Sequence, residues 1–346
     1  MKFNKKVKVA DIAQAAGVSQ AAVSRYLNGS GYVADDKKQS ISRAMESLGV
    51  QLSGEPSISR GRNRKIFGLL IPPLGGNVQY TCMASFFSEE AKNRGYSTKL
   101  YAVNLGETEL NAVLQTMLKD HLSGIFIPVV PMLELDKKTQ KTIAESETPI
   151  VMFSEFLNPY PKINSIVNNF DAGIHMAVNQ LWECGCRNIA LMTPPTTQSK
   201  SAVLQQRGFC NAVQSSGTWE SWQITEYAWE EPTFTKAGYQ CARLAFEKNP
   251  KIDGIIGWTD SYTAGILWYL YETGRNVPRD VKIVASNDDY AGYLCPPVTT
   301  YSLSNESVCT EALDMLIRLQ QPRERDNVKH IYLTPKFIIR GSTEIK

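Results

Sequence analysis

Residues 7–50 read VKVADIAQAAGVSQAAVSRYLNGSGYVADDKKQSISRAMESLGV, and the spacing of their apolar positions decides the first part of the fold. Val9, Ile12, Ala13 and Ala16 recur at helical intervals, and Gly17 ends that helix. Ser19 is an N-cap whose hydroxyl can accept from a free N–H two or three residues on. Val23 and Leu27 then lay a second helix on the first. Asn28-Gly29-Ser30-Gly31 breaks it, and Ile41, Ala44, Met45 and Leu48 mark a third helix closed by Gly49. Three short helices with so tight a turn between the first two make a helix-turn-helix.

The face left over carries chemistry. With Val23 and Leu27 inward, Gln20, Ala21, Ser24 and Arg25 point outward near the N-terminus of the second helix, where a recognition helix meets base edges. Arg pairs bidentately with guanine and Gln with adenine, while Ala is small enough to abut a thymine methyl. The bland alternative is a small helical bundle with a solvated polar face.

Working outward, the 346 residues suggest two or three domains. The net charge of +3 conceals a division: residues 1–65 hold 12 Lys/Arg against 5 Asp/Glu, and the remainder 25 against 29. A basic head precedes a mildly acidic body. Seven scattered Cys, with only Cys184 and Cys186 close, argue against a disulfide framework or zinc site. Three isolated His and the lack of Walker A, Gly-x-Gly-x-x-Gly and Gly-x-Ser-x-Gly motifs lower the expectation of an enzyme and suggest no cofactor. No apolar run is long enough for a membrane span, and the Lys-rich start runs into Asp11 and Gln14 rather than an apolar signal core. A cytoplasmic, nucleoid-associated protein with no membrane partner is expected.

Residues 49–65, GVQLSGEPSISRGRNRK, read as an exposed linker ending in Arg60, Arg62, Arg64 and Lys65. These charges serve either solubility or salt-dependent phosphate contact. From Ile66, short apolar runs alternate with helical segments: strands at 66–72, 97–103, 124–130, 149–153, 188–192, 254–258 and 281–286, helices between them. Two similar α/β halves with parallel sheets imply a cleft whose ligand lies at the carboxyl ends of the strands. The expected fold is therefore an all-α helix-turn-helix head (1–48), a hinge (49–65) and an α/β body (66–346) of two doubly wound parallel-sheet subdomains. The N-subdomain is expected at about 66–163 and 296–320, and the C-subdomain at 164–295 and 321–346. Tyr80, Trp229, Phe234, Trp258 and Tyr262 are candidates to stack on an apolar ligand face, Trp229 and Phe234 being alternatives. Trp182 and Trp268 lie in helical apolar patterns and read as core.

The run DIAQAAGVSQAAVSRYLNGSGYV closely resembles the DNA-binding module of the lactose/galactose repressor family of bacterial transcription regulators. FGLLIPPLGG, GIFIPVV, ECGCRNIAL, WTDSYTAG, VPRDVKIVASNDD, PPVTT and FIIRGST resemble its periplasmic-sugar-binding-protein-like core. The resemblance spans residues 7–343. It implies that Gln20 and Ala21 vary with operator sequence, that Ser24 and Arg25 also reach bases, and that Ser19 and Asn28 hold phosphates. It implies a minor-groove wedge near the end of the linker, where this chain departs: the aligned residue is Ser59, Ile58 is the nearest apolar one, and Pro56 cannot sit inside a regular helix. Ile58 and Arg60 are the linker candidates. In the body the resemblance implies effector contacts from Asp260, Gln205, Asn168 and Asn287. Asp260 has a second reading as a helix N-cap. Gln205 stands where sugar-binding members carry an Arg or Lys, so an anionic effector loses support.

The expected function is a repressor, a homodimer on a pseudo-palindromic double-stranded operator, controlled by a neutral small molecule, most simply a sugar. A leucine-heptad tail is not seen before Lys346, which favours a dimer over a tetramer. Two other classes compete. A sugar-transport protein would carry a signal peptide in place of the helix-turn-helix. A carbohydrate-processing enzyme would need paired carboxylates in the cleft, and Asp288-Asp289 resembles a strand-end turn instead.

Overall fold

The computed structural model describes residues 9–28, 33–48, 65–72, 78–103, 107–128, 137–154, 161–217, 219–228, 234–302, 304–325 and 327–344. The chain divides into two units, Met1–Arg64 and Lys65–Lys346. In the first, α1 (Val9–Ala16), α2 (Gln20–Asn28) and α3 (Asp35–Ser47) enclose a core of Ile12, Ala13, Val23, Val33, Ile41 and Met45. Gly17 makes the turn: its φ of 64° lies in the left-handed region, and Val18 N–H reaches back to the Ala13 carbonyl at 3.1 Å. Ser19 then caps α2, its Oγ accepting from Ala22 N–H at 3.2 Å.

The second unit begins β1 (Ile66–Ile71), α4 (Val78–Asn93), β2 (Ser97–Ala102), α5 (Glu107–Lys119), β3 (Gly124–Ile127), α6 (Lys137–Ala144), β4 (Ile150–Ser154) and β5 (Asn164–Asn168). It continues with α7 (Phe170–Glu183), β6 (Asn188–Thr193), α8 (Lys200–Ser215), β7 (Ser221–Glu226), α9 (Phe234–Lys248), β8 (Gly254–Gly257), α10 (Asp260–Glu272) and β9 (Lys282–Ser286). It ends with β10 (Thr299–Ser302), α11 (Asn305–Leu319), α12 (Pro322–Arg325), β11 (His330–Leu333) and β12 (Lys336–Ile338).

These strands form two six-stranded sheets in the orders β11-β5-β4-β3-β1-β2 and β12-β10-β9-β8-β6-β7. The first is parallel throughout, and the second is parallel except where β12 pairs antiparallel with β10. Both are covered on both faces, as parallel sheets require. Phe67, Leu69 and Ile71 enter the core under α4 and α11, while Leu70 enters the one under α5 and α6. In the second sheet Ile255 and Ile283 face α9 and α10, and Ile256 and Val284 face α7 and α8. The period of two along each strand thus fills four apolar layers. Among the described residues no helix is long and apolar enough to cross a membrane.

Several details differ from the sequence expectation. β5 belongs to the first sheet, β10 to the second and β11 to the first. The chain therefore crosses between sheets after β5, after β10 and after β11, which moves the expected subdomain limits at 163, 296 and 321 to about 169, 303 and 334. Backbone pairing fixes these memberships, not hydrophobic pattern: β5 carries Asn164, Ser165 and Asn168 among its five residues. Trp268 is also not core. It is 48% exposed on α10, its ring tilted against Tyr239 with centroids 4.7 Å apart and its Nε1 donating to Glu272 at 2.9 Å. Trp182 is half-buried, under the Arg187 guanidinium at 3.6 Å.

Helices α9 and α10 sit in backbone contact. A Cβ on Gly238 would overlap the Tyr262 carbonyl, and one on Gly265 the Thr235 carbonyl. This approach fixes the start of α10 against the second sheet. Gly265→Ala is expected to cost about 2 kcal/mol by overpacking. The check is a lower urea midpoint at unchanged slope.

Candidate DNA-reading face and effector cavity

On α2 the inward residues Ala22 and Val23 are buried, whereas Gln20, Ala21 and Arg25 are exposed and Ser24 is half-buried. The four candidates therefore share the outward side of the first two turns of α2, toward its N-terminal end. Arg25 Nε donates to the Ala21 carbonyl at 3.2 Å, holding the stem against its own helix. Asn28 is the last residue of α2. Ile58 and Arg60 lie outside the described residues, as do Pro56, Ser59 and Trp229. Ser19→Ala is expected to destabilise α2 by about 1 kcal/mol through loss of its cap, read as faster amide exchange at Ala22 and Val23.

In the body, a cavity open to solvent is lined by Val78, Phe234, Trp258, Thr259, Asp260, Ser261, Asn287, Asp289 and Tyr290. It sits past the carboxyl ends of β8 and β9, beside the point where strand order reverses between β6 and β8. Of the sequence candidates, Phe234, Trp258, Asp260 and Asn287 meet here. Tyr80 packs on the first sheet's core instead. Gln205 is 1% exposed and donates through Nε2 to Ser286 Oγ at 3.3 Å, and Asn168 closes β5 with Oδ1 buried and unbonded. Neither lines the cavity.

Asp260 is the first residue of α10 rather than its cap. Thr259 caps the helix, its hydroxyl accepting from Tyr262 N–H at 3.3 Å. Asp260 is 2% exposed, and its Oδ2 accepts from the N–H groups of Tyr290 at 2.8 Å and Ala291 at 3.0 Å. Its Oδ1 is buried without a hydrogen-bond partner. Burial pushes this carboxyl up to about 6, the charges of Asp289 and Asp288 adding to the rise and the two N–H groups opposing it. Asp289 is likewise raised by burial, against the amide of Asn305, which donates to its Oδ1 at 3.0 Å. Asp288 forms a two-contact ion pair with Arg340 at 2.7 and 2.8 Å.

The aromatic wall is held in place. Trp258 Nε1 donates to Ser201 Oγ at 3.2 Å, its ring lies 5.8 Å from Phe234, and Tyr262 meets it edge-on at 6.0 Å. Tyr262 itself is fully buried, its hydroxyl donating to the carbonyls of Thr193 and Tyr227, so it supports the wall without lining the cavity. Asn287 has a φ of 70°, a conformation Asn tolerates better than most residues, and this turns the chain after β9 toward the cavity. Val78, Thr259, Ser261, Asp289 and Tyr290 were not among the sequence candidates. The signal for Asp289 and Tyr290 was available: they follow β9 as Trp258 and Asp260 follow β8.

With this geometry established, comparison with known proteins is specific. The family profile of bacterial regulatory proteins, lacI family, matches residues 8–51, and that of the periplasmic binding protein-like domain matches residues 178–343. The ribose operon repressor of Halalkalibacterium halodurans is 24% identical over 97% of each chain. That of Bacillus subtilis is 27% identical over 89% of this chain and 90% of its own. Among solved structures, the Lac repressor dimer bound to operator and the anti-inducer ONPF superposes with a TM-score of 0.74 at 20% identity, covering 98% of this chain and 99% of that one. These relatives are transcriptional repressors, not enzymes. With a lacI-type head on α1–α3 and a two-sheet body of the periplasmic-binding type, the chain belongs to the lacI family of bacterial regulatory proteins and is a DNA-binding transcription regulator.

Proposed function

We propose that the protein is a repressor that binds a pseudo-palindromic operator as a homodimer through Ser19, Gln20, Ala21, Ser24, Arg25 and Asn28. Residues 1–48 form the head, 49–65 the linker and 66–346 the sensing body, and the protein acts on the nucleoid in the cytoplasm. A sugar without negative charge, held in the cavity beyond β8 and β9, sets operator affinity. The observation that carries the effector reading is the buried, unpartnered Oδ1 of Asp260 in a cavity walled by Phe234, Trp258 and Tyr290. Such an oxygen needs a donor, and a sugar offers hydroxyls at its edge and an apolar face for the rings. The named relatives, two ribose operon repressors, support the same class of ligand.

Three crossings join the two sheets, so ligand-driven closure alters the body as a two-state element and shifts the spacing of the paired heads. The exposed aromatics Trp268, Tyr271 and Tyr293, at 48%, 84% and 91% exposure, are the surface we assign to contact with a second copy. The test is a sugar panel screened for thermal stabilisation of the full chain, followed by operator binding with each hit. A stabilising sugar that changes operator affinity supports the reading. Stabilisation with no effect on DNA favours a transport-type binder.

A further inference from the structure

The charges around the cavity do not balance. Among the described residues its lining includes two carboxylates, Asp260 and Asp289, and no Lys or Arg. Arg340 is paired with Asp288 and also donates to the Val298 carbonyl at 2.8 Å. On α8, the buried side chain beside Ser286 is the uncharged Gln205. The only described hydrogen bond to the Asp289 side chain comes from a neutral amide, that of Asn305.

We infer that the effector carries a protonated amine, as an amino sugar does, and that this ammonium group sits between Asp260 and Asp289. The inference rests on the reading of this cavity as the effector site. A hydroxyl can satisfy the open Oδ1 of Asp260, but it leaves two like charges, both raised by burial, repelling each other. An ammonium satisfies the oxygen and cancels the repulsion together. The rest of the wall agrees, since Phe234, Trp258 and Tyr290 offer ring faces whose quadrupoles attract a cation. Ser261 and Asn287 remain for the sugar hydroxyls.

The experiment is calorimetric titration of the full-length protein at neutral pH with matched trios: glucosamine, N-acetylglucosamine and glucose, and the galactose and mannose equivalents. One free amine is expected to bind at least ten-fold more tightly than its N-acetyl and hydroxyl counterparts. Asp260→Asn and Asp289→Asn, which keep the side-chain shape, are each expected to lower that affinity at least ten-fold while the protein still melts cooperatively. Equal or tighter binding of a parent or N-acetylated sugar overturns the amine inference and leaves the effector cavity standing. Tight amine binding that both Asn variants retain also overturns it. Failure of every amino sugar overturns it too, and if a broad panel of neutral sugars fails as well, the effector-site reading falls with it.

Discussion

Asp260→Asn is expected to raise the melting temperature of the ligand-free protein at pH 7.5 and to weaken effector binding at least ten-fold. In the unfolded chain this carboxyl ionises near 3.8, whereas burial holds it near 6 in the folded body. The ionised form is therefore a cost to the folded state, about 3 kcal/mol at the conversion of 1.36 kcal/mol per pKa unit. The cost is present in full above pH 6, declines as the pH falls through 6, and is gone below about 4. Asn retains an oxygen for the N–H groups of Tyr290 and Ala291, so the start of α10 keeps its link to the turn after β9. The stabilisation by Asn should accordingly be largest at pH 7.5 and shrink toward pH 4. Melting curves at several pH values read this directly. A variant that melts lower than wild type at pH 7.5 would mean that the carboxylate is stabilised in the apo body, contrary to the burial argument. The same residue would then lose its standing as a binding group held at the expense of stability.

Arg25→Ala is expected to weaken operator binding about a thousand-fold without unfolding the head. A bidentate arginine–guanine contact is worth about 2 kcal/mol, and a homodimer makes it in each half-site. Arg25 is exposed, its described bond is to its own helix, and Ala is a better helix former, so α2 should survive the change. Arg25→Lys keeps the charge but not the planar fork and should recover little of the loss. The salt dependence of residual binding should stay close to wild type, since a base contact is removed and not a phosphate contact. Unchanged affinity in Arg25→Ala would remove Arg25 from the reading face.

The head was legible because its signals are local: Gly17 at a left-handed turn, Ser19 three residues before the N–H it caps, and Val23, Ile41 and Met45 at helical spacing. The apolar central strands were legible for the same reason. The edges were not. β7 alternates weakly and leaves Trp222 44% exposed, and β5, β11 and β12 are short or polar strands defined by their neighbours' hydrogen bonds. α10 misled because apolar residues run all around it: Tyr262 and Ile266 are buried while Trp268 and Tyr271 face outward.

Within the candidate site, strand-end position brought Trp258, Asp260 and Asn287 to the cavity, and Phe234 joins them from the start of α9, while its alternative Trp229 lies outside the described residues. Asp289 was passed over as part of a turn, although the turn is what faces it inward. Gln205 and Asn168 carry polar groups suited to recognition; both are buried, each with an unpartnered side-chain oxygen, and neither is in the described lining. Residue type alone does not report that placement, which depends on how α8 and β5 pack.

The central claim is that one chain couples a sequence-reading head to a ligand-sensing body. The most direct measurement is selection of bound duplexes from a random DNA pool by the full-length protein, repeated with each sugar that stabilises it. Enrichment of a two-fold-related site, with half-sites about one helical turn or a multiple apart, and a change in its retention when the sugar is added, is the predicted result. Recovery of unselected sequence under every condition, or a selected site indifferent to every stabilising sugar, would contradict it.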